Sequence, residues 1–136
     1  MKTPKEIRIL ENVCEEAKSQ GNVTEKQMAQ LSEALGSRFT KAWEALEEGR
    51  VKKYIFSSSD RIVWIVVGRE REYLIMPAAG YCSCDDFYFR VLDREVHICY
   101  HLIAQKISDA LEWFDKIEED DETYDFLMEE WKKVTA

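Results

Sequence analysis

The chain has 136 residues, 46% of them hydrophobic and 34% charged, and a formal net charge of −8. That length suits one domain able to bury its own core, and the balance is that of an ordinary folded protein rather than a disordered one. Residues 105–136 carry 4 basic and 11 acidic side chains, almost all of the excess, so a phosphate backbone would be repelled by one end and met by no basic stripe elsewhere.

Helical signals fill the first fifty residues. Thr3 is placed to cap a helix, with Pro4 at its first position and Glu6 closing a capping box. Ile7, Leu10, Val13, Cys14 and Ala17 recur at helical spacing before Gly21. Thr24 and Gln27 repeat the capping signature ahead of Met28, Leu31, Ala34 and Leu35, and Gly36 follows. A third helix is expected from Phe39 to Glu48, burying Phe39, Ala42, Trp43 and Leu46, with Gly49 as its stop.

From Val51 the pattern changes. VKKYIF, RIVWIVVG and REYLIMP are rich in β-branched and aromatic residues, and SSSD and Gly68-Arg-Glu-Arg read as the hairpin loops between them. A three-stranded antiparallel meander is predicted, with 61–68 as its central strand and Pro77 closing the third. The stretch DFYFRVLDREVHI is ambiguous between strand and helix. A helix then runs from about Tyr100 to Phe114 on the stripe Leu102, Ile103, Ile107, Ala110, Leu111 and Phe114. Glu118-Glu-Asp-Asp-Glu reads as an acidic linker. Tyr124, Leu127, Met128, Trp131 and Val134 form the apolar face of a last helix. The expected class is α+β: an N-terminal helical segment (1–50), a meander with the loop and helix that follow it (51–114), and an acidic linker with C-terminal helix (115–136), all in one compact unit.

The chemistry is concentrated in one place. Cys82-Ser-Cys84, fourteen residues, then Cys99-Tyr-His101 supplies two close ligand pairs. Zinc favours sulfur and imidazole in a tetrahedron, and structural sites fill all four positions with protein. One Zn2+ per chain is therefore expected on Cys82, Cys84, Cys99 and His101. His97 is the rival to His101, since His97-x-Cys99 is equally compact; a helix starting near Cys99 favours His101. Cys14, on an apolar helix face, reads as a buried small hydrophobe. With no signal-peptide pattern and no membrane-length apolar run, the cysteines are expected in a reducing, intracellular setting: cytoplasmic in a prokaryote, nuclear in a eukaryote.

The run Cys82-Ser-Cys84…Cys99-Tyr-His101-Leu-Ile-Ala104 resembles the SWIM zinc finger, in which a β-meander precedes the ligands. The fuller match, CSCDDFYFRVL…CYHLIA, is similar to the stand-alone SWIM proteins of Shu-type homologous-recombination complexes, marked by an alanine three residues after the histidine (here Ala104) and by an aromatic-rich segment (Phe87, Tyr88, Phe89, Val91, Leu92). That resemblance implies a non-catalytic adaptor that binds a paralogue of the RecA-family recombinase, regulates recombinase filaments and meets DNA only through the complex. Four protein ligands leave no open metal position for catalysis, and no Gly-rich phosphate loop or deaminase pattern is present; Asp85 and Asp86 read as turn residues rather than acid/base groups. Ala104, Trp113, Phe114 and Trp131 are candidates for the partner surface, with Tyr124 and Met128 as further aromatic and methionine contacts. A different reading is direct nucleic-acid binding through Lys52, Lys53, Arg69, Arg71, Arg90 and Arg94. A third is a homodimer held by the terminal helices.

Overall fold

The computed structural model describes residues 4–68, 71–84 and 98–132. Three helices come first: α1 (Lys5–Gln20), α2 (Glu25–Leu35) and α3 (Ser37–Glu47). Pro4 stands just ahead of α1 rather than inside it, and Thr3 lies outside the described residues. Gly21 ends α1 in the left-handed conformation (φ 80°), its N–H donating to the Ala17 carbonyl. The predicted capping box of α2 is formed: Gln27 N–H donates to Thr24 Oγ1 at 3.2 Å, and Thr24 N–H donates to Gln27 Oε1 at 2.9 Å. The third helix starts two residues earlier than expected, directly after Gly36.

The meander follows as β1 (Val51–Phe56), β2 (Arg61–Val67) and β3 (Glu72–Met76), antiparallel throughout. Side chains alternate between the two faces, and this alternation builds two cores. Val51, Trp64, Val66 and Ile75 pack against the helices, whereas Phe56, Val63, Ile65 and Leu74 meet Met128 and Trp131 on the other face. The nearly all-apolar β2 is thus covered on both sides, which its composition anticipated.

Among the described residues the sheet has five strands rather than three, in the order β4-β3-β2-β1-β5. Strand β4 (Tyr81–Cys82) adds two residues beside β3, after a 3₁₀ turn over Pro77–Ala79. Strand β5 (Asp115–Glu119) lies parallel to β1, with Lys52 opposite Asp115 and Phe56 opposite Glu119. Part of the segment expected to be an acidic linker is therefore the edge strand, and Asp121–Thr123 form a 3₁₀ turn. The intervening helix α4 (Tyr100–Leu111) is three residues shorter than predicted. Glu112 adopts a left-handed conformation (φ 54°), Ser108 Oγ donates to the Trp113 carbonyl at 2.7 Å, and Trp113 N–H donates to the Ser108 carbonyl at 2.9 Å. These bonds turn the chain out of the helix and into β5.

Helix α4 sits between α1, α3 and the sheet, with Leu102, Ile103, Ala104 and Ile107 all in the larger core. On the opposite face lies α5 (Tyr124–Lys132). Trp131 packs edge-on against Tyr54, and its Nε1–H donates to Glu72 Oε2 at 2.8 Å. Val134 and the ambiguous 86–97 stretch fall outside the described residues. The architecture is α+β: helices, sheet, and one closing helix.

Candidate metal centre

Two local structures bring the ligand candidates together. Cys82 ends β4, held in register by the Ile75–Cys82 pairing. The chain then turns so that Ser83 N–H donates to the Leu74 carbonyl at 3.0 Å, while Leu74 N–H donates to Ser83 Oγ at 3.0 Å. Ser83 thereby clips the turn to β3 and leaves Cys82 and Cys84 on either side of it. Across from them, Cys99 is the residue that begins α4, in extended conformation (φ −87°, ψ 164°), and His101 lies in the first helical turn. Both can aim at one point because the helix starts between them.

The donor atoms of Cys82, Cys84, Cys99 and His101 all lie within 4.8 Å of one another. A zinc tetrahedron with Zn–S bonds of about 2.3 Å has edges of about 3.8 Å, so the cluster needs only a small contraction around an ion. All four residues are buried, at 1%, 3%, 0% and 3% exposure respectively. Neither ring nitrogen of His101 has a hydrogen-bond partner among the described residues. An imidazole buried with both nitrogens unsatisfied costs free energy that a metal bond would remove.

The thiols point the same way. Burial and the hydrogen bonds with Cys84 and Cys99 push the Cys82 thiol well above its ordinary range. Cys84 is driven far below that range, chiefly by hydrogen bonds from Cys82 and Cys99. Cys99 is pushed up to about 12: the hydrogen bond with Cys82 works downward, and the Cys84 contact and burial outweigh it. Three thiols in one dry pocket cannot all ionise beside one another without a cation. A dication is the group that lets all three become thiolates. The donor set fits zinc, and the site could bind one ion.

The surroundings hold the histidine. Its ring lies against Tyr73 of β3, with centroids 4.2 Å apart, and against Tyr100, at 3.8 Å. Neither tyrosine was singled out from the sequence. Tyr100 sits between Cys99 and His101 and could have been; Tyr73 is 28 residues from His101, and only strand register places it there. Gly68 belongs to the same arrangement. A Cβ on it would come within 2.5 Å of the Tyr73 ring.

The remaining candidates are dispersed. Ala104 is fully buried in the larger core, and Trp131 is buried in the smaller one. Phe114 is half-buried, edge-on to Trp64. Trp113 is 39% exposed and packs edge-on to Trp43. Lys52 is bonded to Asp115, and Lys53 lies 5.2 Å over the rings of both Trp64 and Phe114. The Arg71 guanidinium lies 4.7 Å over the Tyr73 ring and donates to the Ser83 carbonyl at 3.1 Å. Asp85, Asp86, His97, Arg69, Arg90 and Arg94 lie outside the described residues. Cys14 stands apart from the cluster, half-buried, its thiol raised to about 11 by burial. Among the described residues no helix is long and apolar enough to cross a membrane.

Comparison with known proteins adds a second line of evidence. The chain is 27% identical over 124 residues to a zinc finger SWIM domain-containing protein 7 homolog of Dictyostelium discoideum, spanning 90% of this chain and 79% of that protein. It is 31% identical over 85 residues to an uncharacterized protein of Archaeoglobus fulgidus, spanning 62% of this chain and 66% of that one. No family model matches the sequence, and no solved structure matches significantly. The Cys3His cluster and the SWIM-containing relative together support a SWIM-type zinc finger.

Proposed function

We propose that this chain is a non-catalytic zinc-binding adaptor of homologous recombination and DNA repair, which binds a RecA-family recombinase paralogue and through it regulates recombinase filaments. The buried Cys3His cluster carries the reading. Cys82 and Cys84 would hold the ion from the sheet, Cys99 and His101 from α4. The ion supplies a cross-link between those elements, and with four protein ligands it retains no position for water or substrate. Stability and placement of α4, rather than chemistry, are what such a site delivers.

Three further points support the adaptor reading. The CSCDDFYFRVL…CYHLIA run resembles the recombination branch of SWIM proteins, and the SWIM-containing relative aligns along most of the chain. The acidic C-terminal region disfavours a phosphate backbone as the primary ligand. Lys52, Lys53 and Arg71, three of the cations a nucleic-acid module would use, are engaged within the chain. Direct nucleic-acid binding and a homodimer of zinc-stabilised chains are the competing readings. The working compartment is intracellular, where thiolates stay reduced.

The test is affinity purification of the tagged protein from its own cells, with stoichiometric partners identified by mass spectrometry. A RecA-family paralogue is expected, lost on substitutions in residues 99–114 that leave zinc content intact. Recovery of zinc-loaded protein without such a partner overturns the proposal. Steep salt-dependent binding of DNA or RNA by the isolated chain would replace it with the nucleic-acid reading.

A further inference from the structure

The two edges of the sheet differ. At one, β4 is only two residues long, and Ser83 takes up both backbone groups of Leu74 beyond it. At the other, β5 runs for five residues and, among the described residues, pairs with β1 alone. The Glu119 carbonyl accepts from Ser57 N–H at 3.0 Å, so Glu119 turns its backbone groups toward β1. Backbone direction alternates along a strand, which gives Asp115 and Ile117 the same inward sense. Lys116 and Glu118 therefore point their N–H and C=O groups away from the sheet. Both residues are exposed. This edge presents two donors and two acceptors in strand spacing, which is the template that an added strand uses.

The charge says what kind of strand can use it. Residues 115–122 hold six carboxylates and one lysine. A second copy of the same edge would bring two acidic strands side by side, and like charges opposite one another oppose pairing. A strand carrying lysine or arginine at alternating positions would be attracted instead.

We propose that the outer edge of β5 is a strand-addition site for an extended, basic segment of a partner protein, hydrogen-bonded to the backbone of Lys116 and Glu118. The backbone ladder supplies the affinity, and the carboxylates of residues 115–122 select the basic sequence. This goes beyond the adaptor reading and does not depend on which protein the partner is.

The test selects binders from a library of random short peptides, using the intact zinc-loaded chain as bait, and then measures their affinities. Enrichment of basic sequences with alternating β-branched residues is expected. Glu118→Pro removes one outward N–H without touching the β1 ladder, and should weaken the selected peptides by about tenfold or more. Glu118→Gln keeps that N–H and removes one charge, so it should cost only about two- to threefold. Should Glu118→Pro lower zinc content or thermal stability, the same question is put to unaltered protein with peptides N-methylated at alternate residues; one methylation register should abolish binding and the other should not. Selection of peptides with no basic bias, or equal binding by the proline variant and by both methylated forms, overturns the proposal. Basic peptides binding here while no RecA-family paralogue is recovered from cells would sustain the site and overturn the adaptor identity alone.

Discussion

Tyr73 of β3 lies face to face with His101 of α4, the ring centroids 4.2 Å apart and the planes tilted by 32°. The pair joins the sheet to the helix beside the Cys3His cluster, where it would set the plane in which the imidazole meets a metal. Tyr73→Ala should therefore lower zinc affinity by about tenfold, in the range seen when the supports of a metal ligand are removed. Tyr73→Phe keeps the ring and should stay near the parent. Competition with a chromophoric zinc chelator measures both; equal affinity for the alanine variant would show that the stack does not orient the histidine.

Gly68 provides a subtler handle on the same ring. A methyl group there would sit 2.5 Å from Tyr73 Cε2, closer than carbon atoms approach, so the ring or the hairpin must shift. Gly68→Ala should destabilise the fold by about 1–3 kcal/mol, as overpacking does, and broaden the His101 NMR signals. The double variant Gly68→Ala with Tyr73→Ala should lose less than the sum of the two, because the clash has gone.

The ligands themselves give the largest effect. Cys82→Ser or His101→Ala should reduce bound zinc below one ion per chain and cost several kcal/mol of stability, less than the ~10 kcal/mol or more of a small finger peptide, because an apolar core shares the work here. Metal analysis and thermal melting read the two quantities. Unchanged zinc in both variants would reassign the site.

Thiol counting separates Cys14 from the cluster. Its thiol is raised to about 11 from an ordinary 9.0, mainly by burial, which cuts the thiolate available near pH 8 by about a hundredfold. The zinc-loaded protein should expose almost no titratable thiol at that pH. A chelator should release three, and denaturant the fourth. For stability the sign follows from the raised value: the neutral thiol is favoured in the fold, so Cys14 is without effect below about pH 9 and destabilises progressively as pH climbs through 11. Rapid alkylation of Cys14 in the native protein at pH 8 would contradict the raised thiol.

Trp131 closes the second core. It is buried against Tyr54 and donates to Glu72, so Trp131→Ala should cost about 3–5 kcal/mol and free α5 from the sheet. Trp131→Phe retains most of the packing and loses the hydrogen bond, a loss of about 1 kcal/mol. Denaturant melts distinguish the two; an alanine variant as stable as the phenylalanine one would mean that α5 contributes little to the fold.

Much was decided locally and could be read from the chain. The capping box at Thr24 and Gln27, the stops at Gly21 and Gly49, and the three β-rich runs of the meander all depend on residues within a turn or two of each other. The spacing of the Cys-x-Cys and Cys-x-His pairs is legible locally as well, although β3 holds the first pair in place through Ser83 and Leu74. Tertiary structure decided the rest. β5, with three acids and a lysine among five residues, has little strand propensity of its own, and becomes a strand because β1 offers it an unpaired edge. Helix α4 ends early through Ser108 and the left-handed Glu112, where no glycine marks the stop. Tyr73 reaches His101 only through the register of β3. In each case a partner distant along the chain supplies the stabilising contact, and residues separated in sequence carry no sign of it until the fold brings them together.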